Sequence, residues 1–82
     1  MIYTLSRLAP GSYDVLLRGE VIASLVRSGP SDQATWTAEL LEDLQTEERP
    51  APFRKAAHEF RSFEEARAWL GNPEVRNAEG EL

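Results

Sequence analysis

Apolar and polar positions alternate with a period of two over most of the first half of the chain, and a helical period replaces it only near the C-terminal end. Over residues 1–8, Tyr3 and Leu5 fall on one side and Ile2 and Thr4 on the other, which predicts a strand. Pro10-Gly11 bounds it and suits the centre of a type II turn, where proline presets φ and glycine accepts a positive one. The run "S-Y-D-V-L-L-R-G-E-V-I-A-S-L-V-R" that follows is the strongest β signal. It reads as a hairpin closed by a two-residue loop containing Gly19, either Arg18-Gly19 or Gly19-Glu20. Under both choices, simple alternation puts Tyr13, Val15 and Leu17 on one face with Ile22, Ser24 and Val26, the expected core surface. The other face then holds Asp14, Leu16 and Arg18 opposite Val21, Ala23 and Leu25, and is apolar for a solvated side. That makes it a candidate surface for a partner or a second copy.

Residues 28–33, "S-G-P-S-D-Q", are loop by composition. The segment 34–44 fits two patterns. As a strand, Trp36, Ala38 and Leu40 alternate with Thr35, Thr37 and Glu39; as a helix, Thr37, Leu40, Leu41 and Leu44 share a narrow arc. The strand, to about Leu41, is favoured because Thr and Trp suit sheets. A polar loop punctuated by Pro50 and Pro52 follows, and 57–60 offers a short additional edge strand.

The helix is the clearest element. Ser62 stands at its N-cap with Glu65 three residues on, a capping box, and Glu64 and Glu65 face the positive end of the helix dipole. Phe63, Ala66, Trp69 and Leu70 form one apolar stripe, Gly71 suits the left-handed position after the last turn, and Pro73 prevents continuation. The fold class is therefore α+β, a three- to four-stranded antiparallel sheet with one C-terminal helix packed on one face. Residues 1–71 make a single domain, and 72–82 read as a flexible C-terminal tail.

Composition narrows what such a domain can do. Its 82 residues leave a small core, burying about 60–65% of the surface an unfolded chain exposes. The absence of cysteine removes disulfides and thiolate metal sites. No apolar run approaches the roughly 18–20 residues of a membrane span, and the N-terminus lacks the pattern of a secretory signal, so the expected location is cytoplasmic. The net charge of −5 is unevenly spread. Glu39, Glu42, Asp43, Glu47 and Glu48 lie within residues 39–48 with no basic residue among them, whereas Arg49, Arg54, Lys55 and Arg61 follow. An acidic chain is disfavoured as a non-specific nucleic-acid binder, because that affinity comes from neutralising phosphates.

No catalytic constellation is visible. His58 is the single histidine, no G-x-S-x-G sequence surrounds a serine, and His58 reads as an exposed or edge-strand polar residue. The acidic run lacks the loop sequence that wraps calcium, and the glycines form no phosphate cradle. The expectation is no enzyme, no cofactor and no metal.

Ser62, Glu65, Ala66, Trp69 and Leu70, with the hairpin at 12–27, resemble the N-terminal arm-binding domain of phage-type tyrosine integrases, which has three strands and a helix. The chain is also similar in build to small bacterial and phage proteins made of a sheet and one terminal helix. The integrase resemblance implies a sheet that reads DNA through a basic face, but residues 12–27 here carry only Arg18 and Arg27 as bases. Two readings of function follow. The first is a non-enzymatic protein-interaction module using Leu16, Val21 and Leu25 with Glu39, Glu42 and Asp43, with homodimerisation as one form of it; in another version the acidic run imitates nucleic acid. The alternative is weak nucleic-acid binding through Arg49, Arg54, Lys55 and Arg61, with Trp36 or Phe53 stacking on bases.

Overall fold

The computed structural model describes residues 2–77; Met1 and the last part of the expected tail, 78–82, lie outside the described residues. Six strands and one helix occur in the order β1 (Tyr3–Ala9), β2 (Ser12–Leu17), β3 (Glu20–Ser28), β4 (Thr35–Leu40), β5 (Ala57–Phe60), α1 (Phe63–Trp69) and β6 (Glu74–Asn77). The strands form one sheet in the order β5-β4-β3-β2-β1-β6. Strands β1 to β5 pair antiparallel with their sequence neighbours, except that β6 flanks β1 in parallel. The α+β class holds, but three to four antiparallel strands understate a six-stranded mixed sheet. Residues 74–77, expected within the tail, form one of its two edge strands.

Local turn chemistry sets the two hairpins. Gly11, at φ +80, closes β1 onto β2 as the type II reading requires, and β4 settles 34–44 in favour of the strand. Between β2 and β3 the loop is Arg18-Gly19, with both residues at positive φ (56° and 81°), as in a type I′ turn. That turn pairs Leu17 with Glu20 and Leu16 with Val21, but the register then shifts, and Val15 pairs with Ala23 instead of Ile22. A bulge at Ile22 therefore reverses the parity expected from the sequence. Ala23 and Leu25 face the core with Tyr13 and Val15, while Ser24 and Val26 lie on the open side. The physical gain is burial: Ile22 still packs against the core, Ala23 and Leu25 are completely buried, and the Ser24 hydroxyl stays out of it.

The core lies between one sheet face and a second layer made of α1 and the 41–56 connection. Sheet residues Tyr3, Leu5, Val15, Ala23, Leu25, Trp36, Ala38 and Leu40 meet Ala66 and Leu70 of the helix and Phe53 of the connection. Phe63 stacks on Tyr13 (4.7 Å between ring centres) and meets Trp36, and Trp69 packs against Phe53, Phe60 and His58. The Ser62 cap stands as the sequence predicts, its Oγ accepting from the Glu65 amide at 3.0 Å, but the return bond of the capping box falls one residue early: the Glu65 carboxylate accepts from the Arg61 amide and not from that of Ser62. At the other end the Asn72 amide donates to the Arg67 carbonyl and the Gly71 amide to that of Ala68, a Schellman closure with Gly71 at φ +91. The Tyr3 hydroxyl donates to the Ala51 carbonyl at 2.6 Å and ties the connection to β1. The molecule measures 34 × 34 × 20 Å, the thickness of two layers, and none of the described elements covers the open face of the sheet.

Candidate functional site

The open face is polar. Register places Thr4, Ser6, Asp14, Ser24, Thr37, Glu39 and Glu59 on it, with Leu16 paired to Val21 at the hairpin end and Val26 and Ala57 as apolar members elsewhere. The continuous aliphatic face expected from simple alternation therefore does not form. Of its three named members, Leu25 is 0% exposed in the core, Leu16 is half-buried beside Thr4, and only Val21 is substantially exposed, at 39%.

Val21 instead belongs to a groove at the end of the sheet where β2 turns into β3 and β4 ends. The groove has a volume of about 590 Å³ and is lined by Leu17, Val21, Ile22, Leu41, Leu44 and Pro50, with Glu20, Glu42, Glu47, Glu48 and Arg49 among them. Its apolar lining arises from how β4 terminates. Leu40 is buried, the Leu41 amide donates to the Ile22 carbonyl at 3.0 Å, and the chain then leaves the sheet with Leu41 59% exposed. One wall is the single turn Thr46–Glu48, capped by Gln45, whose amide donates to the Glu48 carboxylate at 3.1 Å. Of the sequence-predicted acids, Glu42 lines this groove, Asp43 is exposed beside it in sequence, and Glu39 is exposed on the open sheet face. Glu47 and Glu48, members of the acidic run, also line it, and Leu41 and Leu44 complete the site without having been expected there; the readable signal was a second leucine breaking the alternation at the end of β4.

The basic candidates separate. Arg49 donates from its guanidinium to the Arg54 carbonyl at 2.7 Å, which brings the 49 and 54–55 segments together. The Arg49 Nε is buried without an acceptor. Arg61 lies at the opposite end of β5, beside Asp32, Glu59 and Glu65. Trp36 and Phe53, expected as base-stacking partners, are 9% and 4% exposed, so both are core residues and present no ring face to a nucleic acid.

His58 is half-buried on the edge strand, as expected of its position, and organises the loop before it. Its Nε2 accepts from the amides of both Arg54 and Lys55, each at 3.1 Å, which requires a neutral ring carrying its proton on Nδ1. Its pKa is lowered from the ordinary 6.5, first by burial and then by the positive charges of Lys55, Arg54 and Arg49.

No protein-family model matches the chain, and comparison with curated proteins and with solved structures finds no match. Among the described residues no helix is long and apolar enough to cross a membrane.

Proposed function

We propose that the protein is a non-enzymatic protein-interaction module whose docking site is the groove between the β2–β3 hairpin and residues 41–50. The observation that carries this reading is that two exposed aliphatics, Val21 and Leu41, line one groove together with Leu17, Ile22, Leu44 and Pro50 and a set of charged residues. Exposed aliphatics gathered in a groove and rimmed by charge are the usual composition of a docking surface, whereas a single one, such as Val26 here, needs no partner. The interaction reading thus moves from a sheet face to a sheet end, keeping Val21 and Glu42 from the sequence-predicted set.

The nucleic-acid reading has less behind it. The residues grouped for it are divided between two ends of β5, no exposed aromatic accompanies Arg54 and Lys55, and the open sheet face carries Asp14, Glu39 and Glu59 where an arm-binding domain would carry bases.

A photo-reactive amino acid placed at position 41, and separately at position 59 on the open face, tests the site in the cells that make the protein. The expected result is a cross-linked species of discrete mass from position 41 alone. Equal labelling from both positions, or none from position 41, would overturn the assignment of the groove as a docking site.

A further inference from the structure

The groove also restricts the chemistry of what it can hold. Its apolar lining, with Val21 and Leu41 exposed in it, accepts aliphatic side chains, and four carboxylates line it (Glu20, Glu42, Glu47 and Glu48) against the single guanidinium of Arg49. That guanidinium is engaged with the Arg54 carbonyl, and Glu48 is held by the Gln45 amide, so Glu20, Glu42 and Glu47 have no hydrogen-bond partner shown among the described residues. Like charges brought to such a rim are repelled, and opposite charges are drawn in before any apolar contact forms.

Resting on the reading of the groove as a protein-docking site, we infer that its partner is a short basic segment of another protein. One or two aliphatic anchors of that segment enter the groove while flanking lysines or arginines meet the rim. Both halves are required. The apolar lining alone would accept any aliphatic segment, and the carboxylates alone would accept any cation. A partner carrying both is selected against an acidic segment by repulsion as well as by lost attraction. A second copy of the chain is a poor occupant, because each copy carries a net charge of −5.

The probe is a fluorescent peptide with two adjacent leucines flanked on each side by paired lysines, titrated with the full chain by anisotropy. Two controls accompany it, one with glutamates for the lysines and one with serines for the leucines. The leucine–lysine peptide should bind at least ~10-fold more tightly than either control at low salt, and its affinity should fall as salt is raised to about 0.5 M. Leu41→Ser should reduce binding ~10-fold while leaving the far-ultraviolet dichroism and thermal midpoint unchanged, because Leu41 is already exposed. The double variant Glu42→Gln/Glu47→Gln should reduce it about threefold and flatten the salt dependence. Equal affinity for the lysine and glutamate peptides, or binding unchanged by Leu41→Ser, overturns the inference. If position 41 still cross-links to a protein while the leucine–lysine peptide shows no preference, the docking site stands and the basic partner falls. If position 41 yields no adduct, both fall together. A doubling of solution mass that Leu41→Ser abolishes would identify a second copy as the occupant and likewise overturn the basic partner.

Discussion

At residue scale, Leu25 shows how much hangs on one extra residue in a strand. Alternation from the Arg18-Gly19 turn places it on the solvated side, but the bulge at Ile22 carries it into the core with no exposure at all. Replacing Leu25 with alanine should therefore cost about 2–5 kcal/mol, measured as the loss in urea-unfolding free energy. A change within about 0.5 kcal/mol, typical of surface sites, would place it outside the core. His58 gives a second test, through pH. Its folded-state pKa lies below 6.5, so the folded state prefers the neutral ring more strongly than the unfolded chain does. The resulting stability is fully present above about pH 6.5 and is lost as pH falls through the lowered pKa, when protonation of Nε2 removes the acceptor for the Arg54 and Lys55 amides. The urea midpoint should decline from about pH 7.5 towards pH 5.5, and His58→Gln should decline less over that interval. Identical profiles would mean that other groups govern the change.

At element scale, the helix and β6 illustrate different kinds of stability. The helix is specified locally, by Ser62, Glu65 and the Gly71 closure, and is then fixed by Phe63 and Trp69 among aromatic rings. β6 has no comparable local signal. Its four residues are all exposed, and its pairing of Glu74 to Asn77 with Thr4 to Arg7 rests on backbone hydrogen bonds along the β1 edge. The helix positions it by carrying the chain from β5, at one edge of the sheet, across to the other. Ending the chain after Pro73 should leave the core intact while exposing β1 as an edge strand. Hydrogen exchange should then quicken in Tyr3–Ala9 and remain unchanged in β3 and β4, which lie inside the sheet. Faster exchange throughout would show that β6 supports the whole domain.

At the scale of the whole molecule, two layers leave one broad face of the sheet open, and that face is mostly Ser, Thr and acid, its larger aliphatics being the Leu16–Val21 pair at the hairpin end and Val26. Such a surface gives little apolar area to a symmetric dimer, and the net charge of −5 adds repulsion between copies. Light scattering at two protein concentrations and at low and high salt should return the mass of one 9.2 kDa chain throughout. A dimer that survives high salt would point to apolar self-association, and the groove would then be the first surface to examine.

The features readable in the sequence are those with short-range causes. Pro10-Gly11 and Gly19 dictate reversals through backbone conformation, Thr and Trp favour β4 over a helix, and Ser62, Glu65 and Gly71 delimit α1. The tertiary structure decided what depends on distant partners. The Ile22 bulge gains stability only because a core exists beneath Ala23 and Leu25. The connection 41–56 becomes part of the second layer only because Phe53 and the Tyr3 hydroxyl find sites there. β6 exists only because β1 offers an unpaired edge, and Val21, Leu41 and Glu47 become one groove only when strand ends far apart in sequence are brought together. Local conformational preference acts over a few residues, whereas register, edge pairing and burial are settled by the free energy of the assembled whole.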